Sequence, residues 1–566
     1  MTNPTIAPYG EWDSPFPISL LTAGIVTLGE VRASDGVRWW LEGRSDEKGR
    51  QVLARRNPDG SETRLTPEGF NARTRVHEYG GGAYVVDDDL VVASDFDTGR
   101  LNRVGTAGEL TPLTPERAWR FADLVVDRPR NRLLAIREDH EPETLERHGE
   151  PENSLVAIDL DSGEVTVLVS GADFIAAPRL PPAGDQLAWL EWSHPNLPWD
   201  GTELRLADLG ADGSIGDSIT VAGSQSDWIA QPRWSPDGVL HFVAEPNGWM
   251  NIQRLVDGRP ERVSELEAEF APPDWLFGYS SYGFLPDGSI VAIGRSGGQD
   301  RLYRLGPKPG SVDVIDVPFT EMASLAVDGG RVLLRGASPT TPPAIVELDS
   351  ATGATSVLRQ SMSTTFDPAD IAVAKPVEFP TTDGRTAFGL LYSPHNTSFR
   401  GPDGELPPLL VTSHGGPTAS AIGAFQVTTQ LFTSRGFAVL DVDYGGSTGY
   451  GRDYRKRLEG EWGVVDLDDC VNGARGLVAE GLVDGERLAI RGGSASARRS
   501  APSLSARRSR PGRATSGSAT SRRSSPRPTS SNPATSIGSS GRIRSARICT
   551  AIARRSTSPI RSRARC

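Results

Sequence analysis

Short runs of β-branched and aromatic residues alternate with Asp-Gly, Pro-Asp-Gly and Gly-Gly turns between about residues 20 and 370. This alternation predicts many short antiparallel strands joined by tight turns. The pattern repeats, because residues 232–255 (PRWSPDGVLHFVAEPNGWMNIQRL) align with residues 282–305 (YGFLPDGSIVAIGRSGGQDRLYRL). Weaker copies of the same unit lie at residues 125–139, 178–192 and 326–336. Repeats of about 40–50 residues with this organisation are typical of propeller blades, so we expect a β-propeller of about seven blades, with a pair of β-sandwiches as the alternative.

The pattern of apolar positions changes after residue 380. The segments 390–394, 407–417 and 436–446 have the composition of buried strands, and residues 419–436 and 465–481 space their apolar positions as helices do. Strands that alternate with helices predict a parallel sheet with crossover connections. One more short strand runs into a glycine turn at 487–495, where a helix should follow.

An arginine- and serine-rich tail follows instead of that helix. Residues 497–566 contain 17 Arg and 18 Ser and have no Asp, Glu, Lys, His or aromatic residue. Because they contribute 17 positive charges to a formal net charge of −12, residues 1–496 carry −29. Such a composition predicts a disordered tail, and a shifted reading frame in a GC-rich gene, lost near Ser496, would produce the same residues. The predicted division is a propeller with an N-terminal extension at 1–370, a partial α/β domain at 371–496 and a disordered or aberrant tail at 497–566.

Composition and cysteine content indicate where in the cell the protein is expected. The longest apolar runs, such as 436–442, are far shorter than the ~20 residues that cross a bilayer, and the N-terminus lacks the pattern of a secretory signal. Cys470 is the only cysteine of residues 1–496, which fits a reducing cytoplasm. We expect a cytoplasmic protein with no membrane partner. We expect no cofactor and no metal, because the acidic cluster at 466–469 falls where a helix begins and carboxylates favour that end.

Two glycine turns after buried strands carry candidate chemistry. Gly492-Gly493-Ser494-Ala495 has the strand-turn context that raises a serine hydroxyl above the edge of a sheet. His414-Gly415-Gly416-Pro417 ends another strand as an oxyanion loop would, with glycines that leave backbone N–H groups open; a structural histidine in a simple turn is the alternative. The glycine-rich segment 443–451 lacks the lysine and the spacing of a phosphate-binding loop.

In this order, HGGP, DYGGSTGYG (443–451) and GGSA resemble the prolyl oligopeptidase family of serine peptidases, in its dipeptidyl-peptidase and acylaminoacyl-peptidase-like branch. The segment VHEYGGGAY (76–84) is similar to that branch as well. The resemblance implies a β-propeller that caps an α/β-hydrolase domain and limits access to short or unfolded peptides. It implies that Ser494 is the nucleophile, and that the Tyr444 hydroxyl and the Ala495 N–H stabilise the oxyanion.

The chain departs from the α/β-hydrolase pattern after the nucleophile. The triad order is Ser, then Asp or Glu, then His, yet no Asp, Glu or His follows Ser494 and all seven histidines precede it. With the triad Asp and His absent, we predict that the chain as printed is inactive. The alternatives are a non-catalytic propeller that binds a partner, and nucleic-acid binding through the tail, which is disfavoured because no aromatic side chain is there to stack on a base. The sequence leaves the oligomeric state and the cleavage specificity open.

Overall fold

The computed structural model describes residues 3–21, 25–308, 310–364 and 366–493. The predicted nucleophile Ser494, its neighbour Ala495 and the predicted tail at 497–566 therefore lie outside the described residues. The described residues form seven four-stranded antiparallel sheets in which each strand pairs with the next along the chain, followed by a five-stranded mixed sheet. The predicted seven-bladed propeller with an α/β-hydrolase-type sheet is confirmed.

Each blade takes four consecutive strands. The strand β1 (Thr5–Ile6) precedes the blades. Blade 1 contains β2 (Val26–Ser34), β3 (Val37–Arg44), β4 (Arg50–Arg56) and β5 (Glu62–Arg64), and blade 2 contains β6 (Tyr84–Asp87), β7 (Leu90–Ser94), β8 (Leu101–Val104) and β9 (Leu110–Pro112). Blade 3 contains β10 (Trp119–Asp127), β11 (Arg132–Asp139), β12 (Glu152–Asp159) and β13 (Val165–Ser170), and blade 4 contains β14 (Phe174–Arg179), β15 (Gln186–Trp192), β16 (Thr202–Asp208) and β17 (Ile219–Ser224). The strands of blades 5 to 7 are β18 (Ile229–Trp234), β19 (Leu240–Ala244), β20 (Asn251–Val256), β21 (Arg259–Arg262); β22 (Tyr282–Phe284), β23 (Ile290–Ser296), β24 (Gln299–Leu305), β25 (Val312–Ile315); β26 (Glu321–Asp328), β27 (Arg331–Ser338), β28 (Thr341–Asp349), β29 (Thr355–Gln360). The two segments that align best in the sequence supply the first three strands of blades 5 and 6.

The innermost strands share a feature that the sequence pattern does not reveal. In five blades the register shifts at a bulge, and a non-glycine residue with positive φ occupies it: Glu30, Asp123, Ala177, Gln231 and Ser324. Such a conformation is strained and needs support from its surroundings. The support crosses between blades, because Asp123 Oδ2 accepts the Ala177 N–H at 2.8 Å and Gln231 Oε1 accepts the Ser281 N–H at 2.9 Å.

Side chains close the ring between blades 1 and 7. Arg38 of β3 contacts Asp328 of β26 and Glu347 of β28, each at 2.6 Å. Beneath these ion pairs lies a buried apolar cluster from both blades: Leu28, Val31, Trp40, Ala54, Leu333 and Ile345. The first and last blades are thus joined by packing and charge, with no shared strand among the described residues.

The second sheet is mixed, where the sequence predicted a parallel one. Its strands are β30 (Lys375–Pro380), β31 (Thr386–Tyr392), β33 (Leu409–Ser413), β34 (Ala438–Asp443) and β35 (Leu488–Gly492), while β32 (Phe399–Arg400) lies apart. Their order is β30-β31-β34-β33-β35, and only β34, β33 and β35 run parallel. A tight turn between β30 and β31, closed by the Thr381 N–H donating to Arg385 O at 2.8 Å, leaves no room for a crossover helix and makes that pair antiparallel.

One of the predicted helices is shorter than expected. They are α1 (Pro142–His148), α2 (Val427–Thr433), α3 (Arg452–Arg455) and α4 (Val465–Ala479), with 3-10 turns at Ile18–Leu21, Ser45–Glu47, Arg128–Arg130, Pro368–Asp370, Thr382–Gly384 and Lys456–Leu458. The helix predicted at 419–436 is helical only in α2, because tertiary hydrogen bonds hold its first half as a loop. The Ala421 N–H donates to Asp443 Oδ1 at 2.6 Å, and the Phe425 N–H donates to Ser338 O of the propeller at 2.8 Å. No described helix is both long and apolar enough to span a bilayer.

The N-terminal segment packs on the second sheet's side of the molecule. β1 pairs in parallel with β32, and the Gly10 N–H donates to Arg435 O at 2.9 Å. Phe16 and Leu20 join a buried cluster with Ile371, Phe425 and Leu431. The expected N-terminal extension of the propeller therefore makes these contacts outside the propeller. The last blade ends at Gln360 and β30 begins at Lys375, on either side of the predicted boundary at 370–371.

Candidate active site

The carboxyl ends of three parallel strands meet at one edge of the second sheet. Ser413, the last residue of β33, pairs with Val442 of β34 on one side and with Gly492 of β35 on the other. The chain that leaves this edge continues with His414, Tyr444 and Gly493 respectively. In open α/β sheets this edge is where ligands bind. Gly493 is the last described residue before Ser494. Because β33 pairs with β35, the strand that leads to Ser494 lies directly beside the strand that leads to His414.

His414 is buried in a polar network. Its Nε2 lies 2.7 Å from the Ser447 hydroxyl and 3.8 Å from Asp443 Oδ1, and its Nδ1 lies 3.0 Å from Gly415 O. Burial lowers the pKa of His414, which its contact with the Gly415 carbonyl partly opposes. The imidazole is therefore neutral at physiological pH and serves to order the strand end.

Tyr444, the predicted oxyanion donor, is 1% exposed. Its ring stacks on the His414 imidazole with centroids 4.4 Å apart, and its hydroxyl donates to His414 O at 3.1 Å. Burial raises the pKa of the Tyr444 phenol, so the hydroxyl keeps its proton and remains a donor. Tyr444 follows β34, which β33 separates from β35. The structure thus brings Tyr444 to the His414 loop, and its pairing with the nucleophile stays a prediction.

The loop after His414 has the open backbone that the sequence predicted. Among the described residues, neither the Gly415 N–H nor the Gly416 N–H donates a hydrogen bond. Gly416 has φ +130°, a conformation that favours glycine. The far end of the loop is held by the propeller, because Trp275 Nε1 donates to Thr418 O at 2.7 Å.

Two buried carboxyl groups lie behind this edge. Asp443 accepts the Ala421 N–H at 2.6 Å and the Tyr450 hydroxyl at 2.7 Å, and burial raises its pKa to about 6. Asp441 accepts the Thr412 hydroxyl at 2.8 Å, and burial raises its pKa to about 6 as well. Neighbouring N–H and O–H donors thus engage both groups at the strand ends.

The glycine-rich segment 443–451 uses its backbone N–H groups inside the protein. The Gly445 N–H donates to Asp469 Oδ2 at 2.7 Å. The Gly449 and Gly451 N–H groups donate to Glu269 of the propeller at 2.7 and 3.1 Å. Asp469 lies in the first turns of α4, within the acidic cluster that the sequence placed at a helix start. No cluster of described side chains has the geometry of a metal site.

An aromatic cavity of about 260 Å³ in the propeller adjoins the loop. Trp275 lines this cavity and contacts Tyr79 and Trp199 with ring centroids 5.2 and 4.5 Å away. Other lining side chains include His77, Phe174, Trp192, Phe277 and Asp274. Sequence reasoning did not find Glu269 or the position of Trp275 beside the site, because each acts on a residue more than a hundred positions away.

A propeller joined to an α/β sheet whose parallel strands end in HGGP, DYGG and GG turns defines a two-domain hydrolase. Residues 424–496 match the model of the prolyl oligopeptidase family. A solved Mycobacterium tuberculosis puromycin-hydrolyzing peptidase is 35% identical, with a TM-score of 0.82 over 87% of this chain and 77% of that one. A solved puromycin hydrolase is 36% identical, with a TM-score of 0.82 over 88% and 78%. The chain belongs to the prolyl oligopeptidase family.

Curated relatives match over shorter stretches. Dipeptidyl aminopeptidase BIII of Pseudoxanthomonas mexicana is 34% identical over 122 residues, which are 21% of this chain and 18% of that protein. Acylamino-acid-releasing enzyme 2 of Oryza sativa subsp. japonica is 26% identical over 207 residues, 32% of this chain and 27% of that one. The matched part therefore spans less than a third of each of these curated relatives.

Proposed function

We propose that the chain is by family a serine-type peptidase, a class of enzyme that acts on short peptides through an acyl-enzyme intermediate, with Ser494 in the position of the nucleophile. The observation that carries the proposal is the parallel pairing of β33 with β35, which sets the Gly415 and Gly416 N–H groups beside the strand that leads to Ser494. A glycine loop with open N–H groups next to a nucleophile turn is the arrangement that acyl transfer requires.

In the proposed reaction the Ser494 hydroxyl attacks the carbonyl carbon of the scissile amide. Negative charge then develops on the carbonyl oxygen, and donors aimed at that position lower the barrier; loss of one donor typically costs about 10²–10³ in rate. We assign these donors to the Ala495 N–H, the Tyr444 hydroxyl and the open N–H groups of the 415–416 loop. Departure of the amine leaves an ester on Ser494, which water hydrolyses.

Acylation needs a base that takes the Ser494 hydroxyl proton and gives it to the leaving amine, and hydrolysis of the ester needs the same base to take a proton from water and return it to Ser494. Every histidine precedes Ser494 in the sequence. Of the described histidines, His414 is the one at this sheet edge, and its Nε2 already contacts Ser447. We therefore propose that the chain as printed performs no turnover, since its triad Asp and His are absent.

The substrate class follows from the relatives' names. They describe hydrolysis of puromycin, release of acylamino acids and removal of dipeptides, and one puromycin hydrolase variant was solved with the ligand PGG. We propose substrates of a few residues, cleaved near one end. The aromatic cavity beside the loop supports an apolar residue in the substrate. A cytoplasmic location is proposed as well, since the buried Cys470 thiol is unpaired.

A fluorophosphonate probe and fluorogenic aminoacyl and dipeptidyl amides test both parts of the proposal. We expect the full chain to be unlabelled and to release no fluorophore. A chimera in which the segment after Ala495 comes from the puromycin-hydrolyzing relative is expected to gain both properties and to lose them in Ser494→Ala, with Ser398→Ala, at an exposed position, as the matched control. Labelling of the unaltered chain that Ser494→Ala removes would contradict inactivity. A folded chimera without labelling would contradict the peptidase assignment.

A further inference from the structure

Three arginines lie on the innermost strands of the propeller. Arg32 lies in β2, Arg179 in β14 and Arg233 in β18. Arg179 and Arg233 line a cavity of about 590 Å³ formed at the carboxyl ends of the innermost strands. The amino-terminal ends of these strands face the second sheet, as shown by Ser226 O, just before β18, which accepts from Arg452 at 2.7 Å. The cavity therefore opens at the mouth of the channel away from the candidate active site.

The cavity lining contains three arginines, Arg128, Arg179 and Arg233, and two carboxylates, Asp87 and Asp127, which pair with Arg128 and with Arg130 and Arg132 respectively. Arg179 pairs with Asp123 at 3.1 Å. Within the described residues, Arg233 has no ion-pair partner, and its Nε is buried without a hydrogen-bond partner. Its guanidinium lies over the Tyr282 ring, 5.4 Å from the centroid. Arg32 contacts the carbonyl of its neighbour Val31 at 3.0 Å and lies 5.6 Å from the Tyr84 centroid.

The pKa of Arg233 agrees with its position as a cation without a paired carboxylate. Burial lowers the pKa of Arg233 to about 10, and the nearby positive charges of Arg179 and Arg32 act in the same direction. Arg233 therefore stays protonated at neutral pH. The second carboxyl group near the cluster belongs to Glu30, whose pKa is raised by burial although Arg32 opposes the shift. Asp123 thus balances Arg179, and Arg233 is left without a paired carboxylate among the described residues.

A buried cation without a partner is costly, and an anion that enters the cavity would remove that cost. A guanidinium offers a fixed fork of donors that fits the oxygen atoms of a carboxylate or a phosphate. We propose that Arg233 and Arg179 form a binding site for a small oxyanion in the propeller channel. The site shares Arg179 with the lining of the aromatic cavity, and it does not depend on the proposed function.

The chemistry admits two sources of the oxyanion, an inorganic phosphate or the terminal carboxylate of a peptide. Thermal unfolding of the full chain at constant ionic strength tests both, with sodium phosphate, trialanine and trialanine amide titrated separately against chloride, and calorimetric titration measures affinity. We expect a saturable rise in Tm with phosphate or with trialanine, and none with the amide. Phosphate alone identifies an inorganic ligand, whereas trialanine identifies a peptide terminus, and either response supports the site.

Substitutions connect the response to the cluster. Arg233→Gln is expected to weaken binding at least ten-fold, Arg233→Lys to weaken it less, and Arg254→Gln, outside the cavity and paired with Glu261, to leave it unchanged. If Arg233→Gln does not fold, Arg179→Gln replaces it with the same expectation. The proposal is overturned if no oxyanion gives a saturable response in the unaltered chain. It is also overturned if the folded site variant, Arg233→Gln or its replacement, binds the oxyanion as tightly as the unaltered chain does.

Discussion

Glu269 of the propeller accepts the backbone N–H of Gly449 at 2.7 Å, and the same carboxylate accepts the Gly451 N–H at 3.1 Å. The glycine-rich segment that marks the family in the sequence is thus held by a side chain from the other domain. A second contact lies close by, because Arg455 binds Glu245 with both carboxylate oxygens at 3.0 and 2.8 Å. The propeller therefore helps to fix the loop that carries Tyr444.

Glu269→Ala is expected to lower the free energy of unfolding by about 2–4 kcal/mol, because it leaves two buried N–H groups without an acceptor. Urea denaturation followed by tryptophan fluorescence measures the change. Glu267→Ala removes an exposed carboxylate two residues away and is the matched control, with an expected change below about 0.5 kcal/mol. Equal effects of the two substitutions would show that the contact between Glu269 and the glycine segment contributes nothing to stability.

Asp274 is expected to make stability depend on pH. Burial raises the pKa of this carboxyl from 3.8 to about 7, although Trp228 Nε1 donates to it at 3.0 Å. A carboxyl whose pKa is higher in the folded state binds protons more readily there, so its contribution to stability is present below about pH 4 and is lost as the pH rises to about 7. One pKa unit corresponds to about 1.4 kcal/mol, which sets an upper bound of about 4 kcal/mol for this loss.

The check is a series of urea denaturations between pH 4 and pH 8. Asp274→Asn keeps an acceptor for Trp228 and removes the titration, so its free energy of unfolding should fall less over this range than that of the unaltered chain. Asp257→Asn, in an exposed turn, should leave the pH profile as it was. Parallel profiles for Asp274→Asn and the unaltered chain would contradict the assignment.

Much of the fold follows from local pattern. The turn aspartates Asp237 and Asp287 mark equivalent hairpins in blades 5 and 6, because a period-2 strand pattern and a Pro-Asp-Gly turn are local signals. The parallel strands β33, β34 and β35 were predicted from their apolar runs. The direction of β30 and the loop at 419–426 were not, since the turn at Thr381 and the contact of Phe425 with Ser338 decide them.

The candidate site was predictable only in part. His414 and the glycines after it follow a recognisable strand, so the sequence indicated an oxyanion loop. Glu269 and Trp275 reach the site from the propeller, and a single sequence gives no sign of which of many acidic and aromatic side chains will meet across a domain interface. The strained bulges at Asp123 and Gln231 escape prediction for the same reason, because their support comes from the next blade.

Arg38→Met is expected to weaken the closure of the propeller ring. The substitution keeps an apolar stem but leaves Asp328 and Glu347 without their shared cation, and removal of one member of a buried ion pair typically costs about 3 kcal/mol. Arg331→Met is the matched control, because Arg331 approaches the same Glu347 at 3.9 Å but is half exposed. Its expected cost is below about 1 kcal/mol. Thermal unfolding that shows the two variants to be equally stable would contradict closure by Arg38.

Trp275→Phe is expected to loosen the loop between His414 and Ala421. Phenylalanine keeps an aromatic ring beside Tyr79 and Trp199 but cannot donate to Thr418 O, and one such hydrogen bond contributes about 1 kcal/mol. Amide hydrogen exchange, read by mass spectrometry on peptides that contain Ala421 and Thr448, should be about five- to tenfold faster, because both N–H groups bond within this region. Trp234→Phe, which removes an equivalent bond from Trp234 Nε1 to Arg179 O inside the propeller, should leave that exchange unchanged. Unaltered exchange in Trp275→Phe would show that the loop keeps its conformation without the propeller's donor.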